Sequence, residues 1–264
     1  MKNNISKSKI IIAVISVTTA LAVFISIGWY FSYQENTNEL RRLSNYISEF
    51  RYGPQPTYVT FGKYEQDGNV LNGKEDIEWK VILVNSGQVF LVSRCILDCK
   101  PFFSESGKEE MTATGGADVP KSIWETSSLR KWLNEDFYEN AFNDQQKAII
   151  QSVTTNSNYL STTSDKVFLL SGKEWKEDYW NDDLVKITDY AKNQGIGTAF
   201  EVLGCSYWLR SSYETWDKNS ERSLATYTDE IEKELGELPV TRCCGVRPAI
   251  KIDVSEKNLD KLFG

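Results

Sequence analysis

Histidine is absent from all 264 residues, and that absence excludes more chemistry than any motif in the chain supplies. Without an imidazole there is no Ser-His or Cys-His nucleophile-base pair, and no side chain whose ordinary pKa lies near neutrality. A zinc site would have to rest on Cys95 and Cys99 in CILDC and on the adjacent Cys243 and Cys244, and neither spacing is that of a C-x-x-C ligand pair. Charge is missing from a second place: no Asp, Glu, Lys or Arg stands between Ile10 and Phe31. No internal repeat is present either.

What is there begins with three lysines, Lys2, Lys7 and Lys9, ahead of that uncharged run. Its 22 residues, at roughly 1.5 Å each, span about 33 Å as a helix, enough for the hydrocarbon layer. A cleaved signal peptide also starts basic and turns apolar, but its apolar stretch is shorter, and no small-x-small cleavage site stands where Trp29, Tyr30 and Phe31 do. Those aromatics suit an interfacial belt. The expectation is a single-pass signal-anchor: residues 1–9 a cytoplasmic tail, 10–31 a transmembrane helix, and everything after it outside the cytoplasm, in a protein of the cell membrane.

From Ser32 onward 27 basic residues face 37 acidic ones, which makes nucleic acid and anionic lipid poor partners. An apolar content of 41%, with 12% aromatic, is ample for a packed core. Five cysteines are an odd number. Outside the cytoplasm a disulfide from Cys205 to Cys243 or Cys244 is expected, with buried free thiols as the alternative.

Leu40, Leu43, Ile47 and Phe50 recur at steps of three and four and predict a juxtamembrane helix, within a stalk and linker spanning 32–56 that ends at Gly53-Pro54-Gln55-Pro56. The period then falls to two. Ile77, Trp79, Val81 and Leu83, the turn Asn85-Ser86-Gly87 and Val89 to Val92 predict a β-hairpin whose Trp79, Val81 and Leu83 share the core face. In TSSLRKWLNEDFYENAF, Leu129, Trp132, Leu133 and Phe137 form a helical stripe; Asn143 with Gln146 and Ser171 with Glu174 form capping boxes. SYWLR, SLATY and GVRPAI return to strands, and Pro248 places the last of them at an edge or a bulge. Strands, helices, then strands again indicate an α+β domain over 57–254 with a mostly antiparallel sheet and long loops, followed by a C-terminal tail over 255–264.

WETSSLRKWLNEDFYENAF, SDKVFLLSGKEW, YWLRS and GVRPAI together resemble, in content and order, an uncharacterised bacterial domain, the domain of unknown function six-two-seven-three, over roughly Tyr58 to Asp253. That family brings no activity with it. The closing pair of arginine-bearing strands is also similar to those of C-type-lectin-like and formylglycine-generating-enzyme-like folds, a likeness that implies a recognition role. The oxidase chemistry of the latter needs a spaced cysteine pair, which Cys243 and Cys244 do not provide.

The candidate site residues follow from these segments. Arg210 and Arg247 either tie the strands together, stems packed beside groups such as Trp208, or grip a ligand carboxylate or sulfate. Trp180 and Trp216, in polar stretches, are the tryptophans placed to stack on the sugar rings of a ligand, whereas Trp132 and Trp208 read as core and Pro248 as structural. Asp178, Asp182 and Asp183 in DYWNDD gather oxygen ligands suited to calcium, although the EF-hand spacing and glycine are absent. No catalytic residue, zinc site or other cofactor is expected. The reading is an extracytoplasmic domain that binds a glycan or protein ligand of the cell envelope; the alternatives are a hydrolase using paired carboxylates and a scaffold for another membrane protein through Leu40, Leu43 and Ile47.

Overall fold

The computed structural model describes residues 7–49, 58–104, 124–156, 162–179, 185–196, 206–211, 224–229 and 234–263, the side chains of 7–20, 48–49, 156, 177–179, 224–229 and 234 excepted. A single helix, α1 (Lys7–Glu49), runs through the expected boundary between membrane span and stalk without a break. Its two parts meet different surroundings. Phe24, Trp29, Tyr30 and Phe31 are exposed, whereas Leu40 and Ile47 are buried and Leu43 half-buried against the rest of the chain. Among the described residues no helix is long and apolar enough to cross a membrane, so the span expected over 10–31 has no support there.

The buried stripe of α1 is the one expected from its three-and-four spacing, and its fourth member, Phe50, lies outside the described residues. Thr37 and the carbonyl of Tyr33 both accept from the Gln145 amide, at 3.0 and 2.7 Å. The stripe offered above to a partner protein is therefore covered by the chain's own domain.

The strands are β1 (Tyr58–Tyr64), β2 (Glu75–Asn85), β3 (Gln88–Ser93), β4 (Cys95–Ile96), β5 (Asp98–Pro101), β6 (Val153–Asn156), β7 (Thr162–Asp165), β8 (Val167–Phe168), β9 (Lys186–Ile187), β10 (Leu224–Asp229), β11 (Glu234–Pro239), β12 (Cys243–Val246) and β13 (Ala249–Asp253). The main sheet has the order β1-β2-β3-β13-β8, antiparallel throughout, whereas β4 pairs with β9 in parallel. The α+β class with a mostly antiparallel sheet holds.

The predicted hairpin is β2 and β3. Ser86 and Gly87 both have positive φ, 51° and 85°, the backbone a two-residue turn needs to match strand twist. Trp79 is fully buried and donates its indole N–H to the Phe61 carbonyl at 2.6 Å. Leu83, expected beside it, is instead 60% exposed. The register shifts between Val81 and Leu83, and one extra residue in a strand turns every later side chain to the opposite face.

Helices follow as α2 (Ser128–Trp132), a wider π turn over Leu133–Phe137, α3 (Tyr138–Ala141), α4 (Asp144–Ile149), α5 (Gly172–Tyr179), α6 (Asp189–Ala191) and α7 (Glu256–Phe263). Leu129, Leu133 and Phe137 are buried and Trp132 half-buried, as their stripe requires. Steps of four drift around an ordinary α-helix, and the wider turn keeps them in line. Residues 255–264, expected as a tail, hold α7: its Leu259 is buried, its Asp260 pairs with Arg41 at 2.9 Å and its Phe263 ring meets Tyr33.

Pro248 does not mark an edge. It stands in the two-residue break between β12, which pairs with β5, and β13, which lies inside the main sheet between β3 and β8. A missing N–H is harmless there because the chain is passing from one sheet to another, and the Pro248 carbonyl accepts from Ser93 N–H at 2.8 Å.

Candidate functional site

YWLRS and GVRPAI do meet. Tyr207 bridges Gly245 in parallel, Trp208 N–H donates to the Gly245 carbonyl at 2.9 Å, and Gly245 N–H donates to Ser206 at 3.2 Å. A Cβ on Gly245 would lie 2.5 Å from the Ser206 carbonyl oxygen, so only glycine permits this approach. Trp208 is buried, with its indole N–H donated to the Lys100 carbonyl at 2.8 Å.

Both arginines of these segments are turned inward. Arg210 forks onto Glu174, with Nη2 to Oε1 at 2.9 Å and Nη1 to Oε2, and also donates to the Leu169 carbonyl. Glu174 is the reciprocal partner of Ser171 in the predicted capping box: its carboxylate accepts from Ser171 N–H at 2.8 Å while Ser171 Oγ accepts from Glu174 N–H at 3.2 Å. Burial alone would raise the Glu174 carboxyl, but the Arg210 hydrogen bonds and charge, with those of Ser171, outweigh it and hold it below the usual range. Arg247 donates from Nε to the Ser93 carbonyl at 2.9 Å and from Nη1 to the Tyr207 hydroxyl at 2.8 Å. Each guanidinium thus has internal partners.

Cys243 is bonded to Cys99, joining β12 to β5, with the Cα atoms 5.6 Å apart. This corrects the expected bridge from Cys205, which lies outside the described residues. Cys244 is a buried free thiol and Cys95 a half-buried one, both raised by burial. Trp180, Trp216, Asp182 and Asp183 lie outside the described residues, as does the side chain of Asp178.

A cleft of about 890 Å³ opens between α1 and β1. One wall carries Glu39, Arg42 and Tyr46, all exposed on α1; the other is β1, whose outer edge pairs with no strand among the described residues. Asn140 to Asn143 close one side, where Gly62, at φ 74°, passes within 2.8 Å of the Ala141 carbonyl as measured from the position of a Cβ. The rim carries both signs of charge: Lys63 pairs with Asp76 at 3.1 Å, and Lys74 donates to the Asn140 carbonyl at 2.6 Å. Nothing in spacing alone could have marked this cleft, because its walls are far apart in sequence.

The loop joining β1 to β2 carries a second grouping, EQDGNVLNGKE from Glu65 to Glu75. One carboxylate oxygen each from Glu65, Asp67 and Glu75 lies within 4.8 Å of the others. Glu75 Oε2 accepts from Gln66 N–H at 2.7 Å; Asp67 accepts from Asn69 N–H and from the Asn72 amide, both at 2.7 Å, and these two donors hold it below the usual carboxylate range. Burial, with Glu75 beside it, pushes the Glu65 carboxyl up. Tyr64, next to this loop, donates to the buried Asp98 at 2.6 Å, and burial together with that carboxylate pushes its hydroxyl far up.

Among the comparisons with known proteins, the model of a domain of unknown function (DUF6273) matches residues 86–254. No curated protein and no solved structure matches the chain. The β1–β2 loop and the β1 wall of the cleft lie ahead of the matched residues.

Proposed function

Since the chain belongs to the DUF6273 family, whose description assigns no activity, we propose a function from its own residues: a membrane-anchored recognition domain that binds a peptide or glycan of the cell envelope in the cleft between α1 and β1. The observation that carries this reading is the edge of β1, which pairs with no strand among the described residues and faces the exposed Glu39, Arg42 and Tyr46 across about 890 Å³. An unpaired strand edge supplies alternating N–H and C=O groups to an extended ligand, while charged and aromatic side chains opposite supply selectivity. The absence of histidine favours binding over acyl-transfer or other base-driven chemistry.

The anchor is supported by the first part of α1. Phe24, Ile25, Trp29, Tyr30 and Phe31 are exposed, and in the sequence their uncharged run extends back to Ile10. Each such side chain gains roughly 1.5 to 3 kcal/mol on leaving water, and a patch of that size in water would drive aggregation. The Cys99–Cys243 disulfide suits an oxidising compartment on the far side of that membrane.

The test is the full chain in lipid nanodiscs, washed over arrays of envelope peptides and glycans. The expected result is a retained ligand whose affinity falls at least tenfold with Arg42→Glu and with Tyr46→Ala. Retention unchanged by both substitutions, or none across the arrays, would overturn the reading.

A further inference from the structure

We propose that Glu65, Asp67 and Glu75 form a calcium site in the β1–β2 loop, distinct from the cleft and from the DYWNDD segment. Three carboxylate oxygens within 4.8 Å of one another match the spacing around a single calcium ion, whose ligands stand at 2.3 to 2.6 Å and so lie up to about 5 Å apart across the ion. Acidic residues cluster on many surfaces without a ligand. The distinguishing feature is Glu65, which is only 9% exposed: Gly68 N–H and Asp67 act on its carboxyl, but its Oε1 is buried with no hydrogen-bond partner among the described residues. A carboxylate oxygen shut away from water without a donor is costly, and the shortfall falls where two other carboxylates converge.

The nearby cations are engaged elsewhere. Lys63 pairs with Asp76, and Lys74 reaches the Asn140 carbonyl. Among the described residues no lysine or arginine pairs with Glu65, so a metal ion would supply the counter-charge the cluster lacks. The donors are all oxygen, which excludes the nitrogen and sulfur preferences of zinc. Calcium fits better than magnesium, because an irregular loop with three carboxylates tolerates six to eight oxygens, whereas magnesium demands a near-ideal octahedron. Asp67 keeps lone pairs for a metal while Asn69 N–H and the Asn72 amide hold it in place. Water completes the sphere.

The loop is tied to the domain at both ends of the cluster: Tyr190 N–H donates to the Gln66 carbonyl at 2.9 Å, and Gln66 Nε2 donates to the Asp76 carbonyl at 3.0 Å. The Tyr64 and Tyr190 rings, 5.8 Å apart beside it, provide a built-in reporter. The experiment is terbium luminescence, excited through tyrosine, on the full chain in detergent micelles after chelator treatment, with calcium added in competition. The expected result is one saturable site per chain, displaced by calcium, and weakened at least tenfold by Glu65→Gln and by Asp67→Asn with the circular dichroism unchanged; Asp182→Asn keeps it. No calcium-displaceable emission from the unaltered chain, emission unaffected by Asp67→Asn, or emission abolished by Asp182→Asn would each overturn the proposal. Should Glu65→Gln fail to fold, the exposed Asp67 decides the matter.

Discussion

Glu174 carries two structural tasks with one carboxylate: it closes the N-terminus of α5 and neutralises Arg210. Removing the carboxylate leaves a buried guanidinium that keeps the Leu169 carbonyl as its side-chain hydrogen-bond acceptor among the described residues. Breaking a buried pair costs about 3 to 5 kcal/mol, and the low end applies here because the Glu174 side chain keeps 27% of its surface exposed. Glu174→Ala is thus expected to lower unfolding stability by about 3 kcal/mol in urea titration. Glu174 sits below its ordinary value in the folded chain, so its contribution is present above the unfolded carboxylate pKa and is lost as pH falls through the folded one. Stability of the unaltered chain measured from neutral pH downward should show that loss, and Glu174→Gln should remove it. The capping half of this arrangement is legible in the sequence, because Ser171 and Glu174 are three residues apart. The Arg210 half is not: its partner lies 36 residues away, and only the fold closes that distance.

Among the elements, α1 is the one whose two parts answer to different surroundings. Ile47 is buried and Phe24 is 73% exposed. Large-to-small changes in a packed core cost roughly 2 to 5 kcal/mol. Ile47→Ala is expected to destabilise the domain by that amount in thermal or urea unfolding in micelles, whereas Phe24→Ala should leave the transition where it was. Equal effects from both, or no effect from either, would separate α1 from the domain it packs on. The periodicity of Leu40, Leu43 and Ile47 made this packing legible, as the turn chemistry of Ser86-Gly87 did for the β2–β3 hairpin. What defeated sequence reasoning was any feature set by pairing: the extra residue near Ile82 that exposes Leu83, the interior place of β13 despite Pro248, and α7, whose partner face on α1 is about two hundred residues earlier. The acidic loop escaped for a related reason. Glu65, Asp67 and Glu75 look like surface charges until the strands on either side bring the first and last together.

For the whole molecule, the disulfide among the described residues links points more than half the chain apart. The Cys99–Cys243 bridge closes a loop with a sequence separation of 144, and the chain-entropy model assigns such a loop about 5 kcal/mol of stability. Cys99→Ser with Cys243→Ser, or reduction by a thiol, is expected to lower the melting temperature markedly, while replacing Cys244, a free thiol, should leave the sensitivity to reductant intact. The central claim is that the uncharged start of α1 holds the domain and its cleft on the outer side of a membrane. Its most direct test is labelling of cells or protoplasts that carry the full chain with a membrane-impermeant amine reagent. Lys257 and Lys261, both exposed on α7, are expected to react before lysis and Lys2 only after it; protection of Lys257 and Lys261 until the membrane is opened would contradict the account.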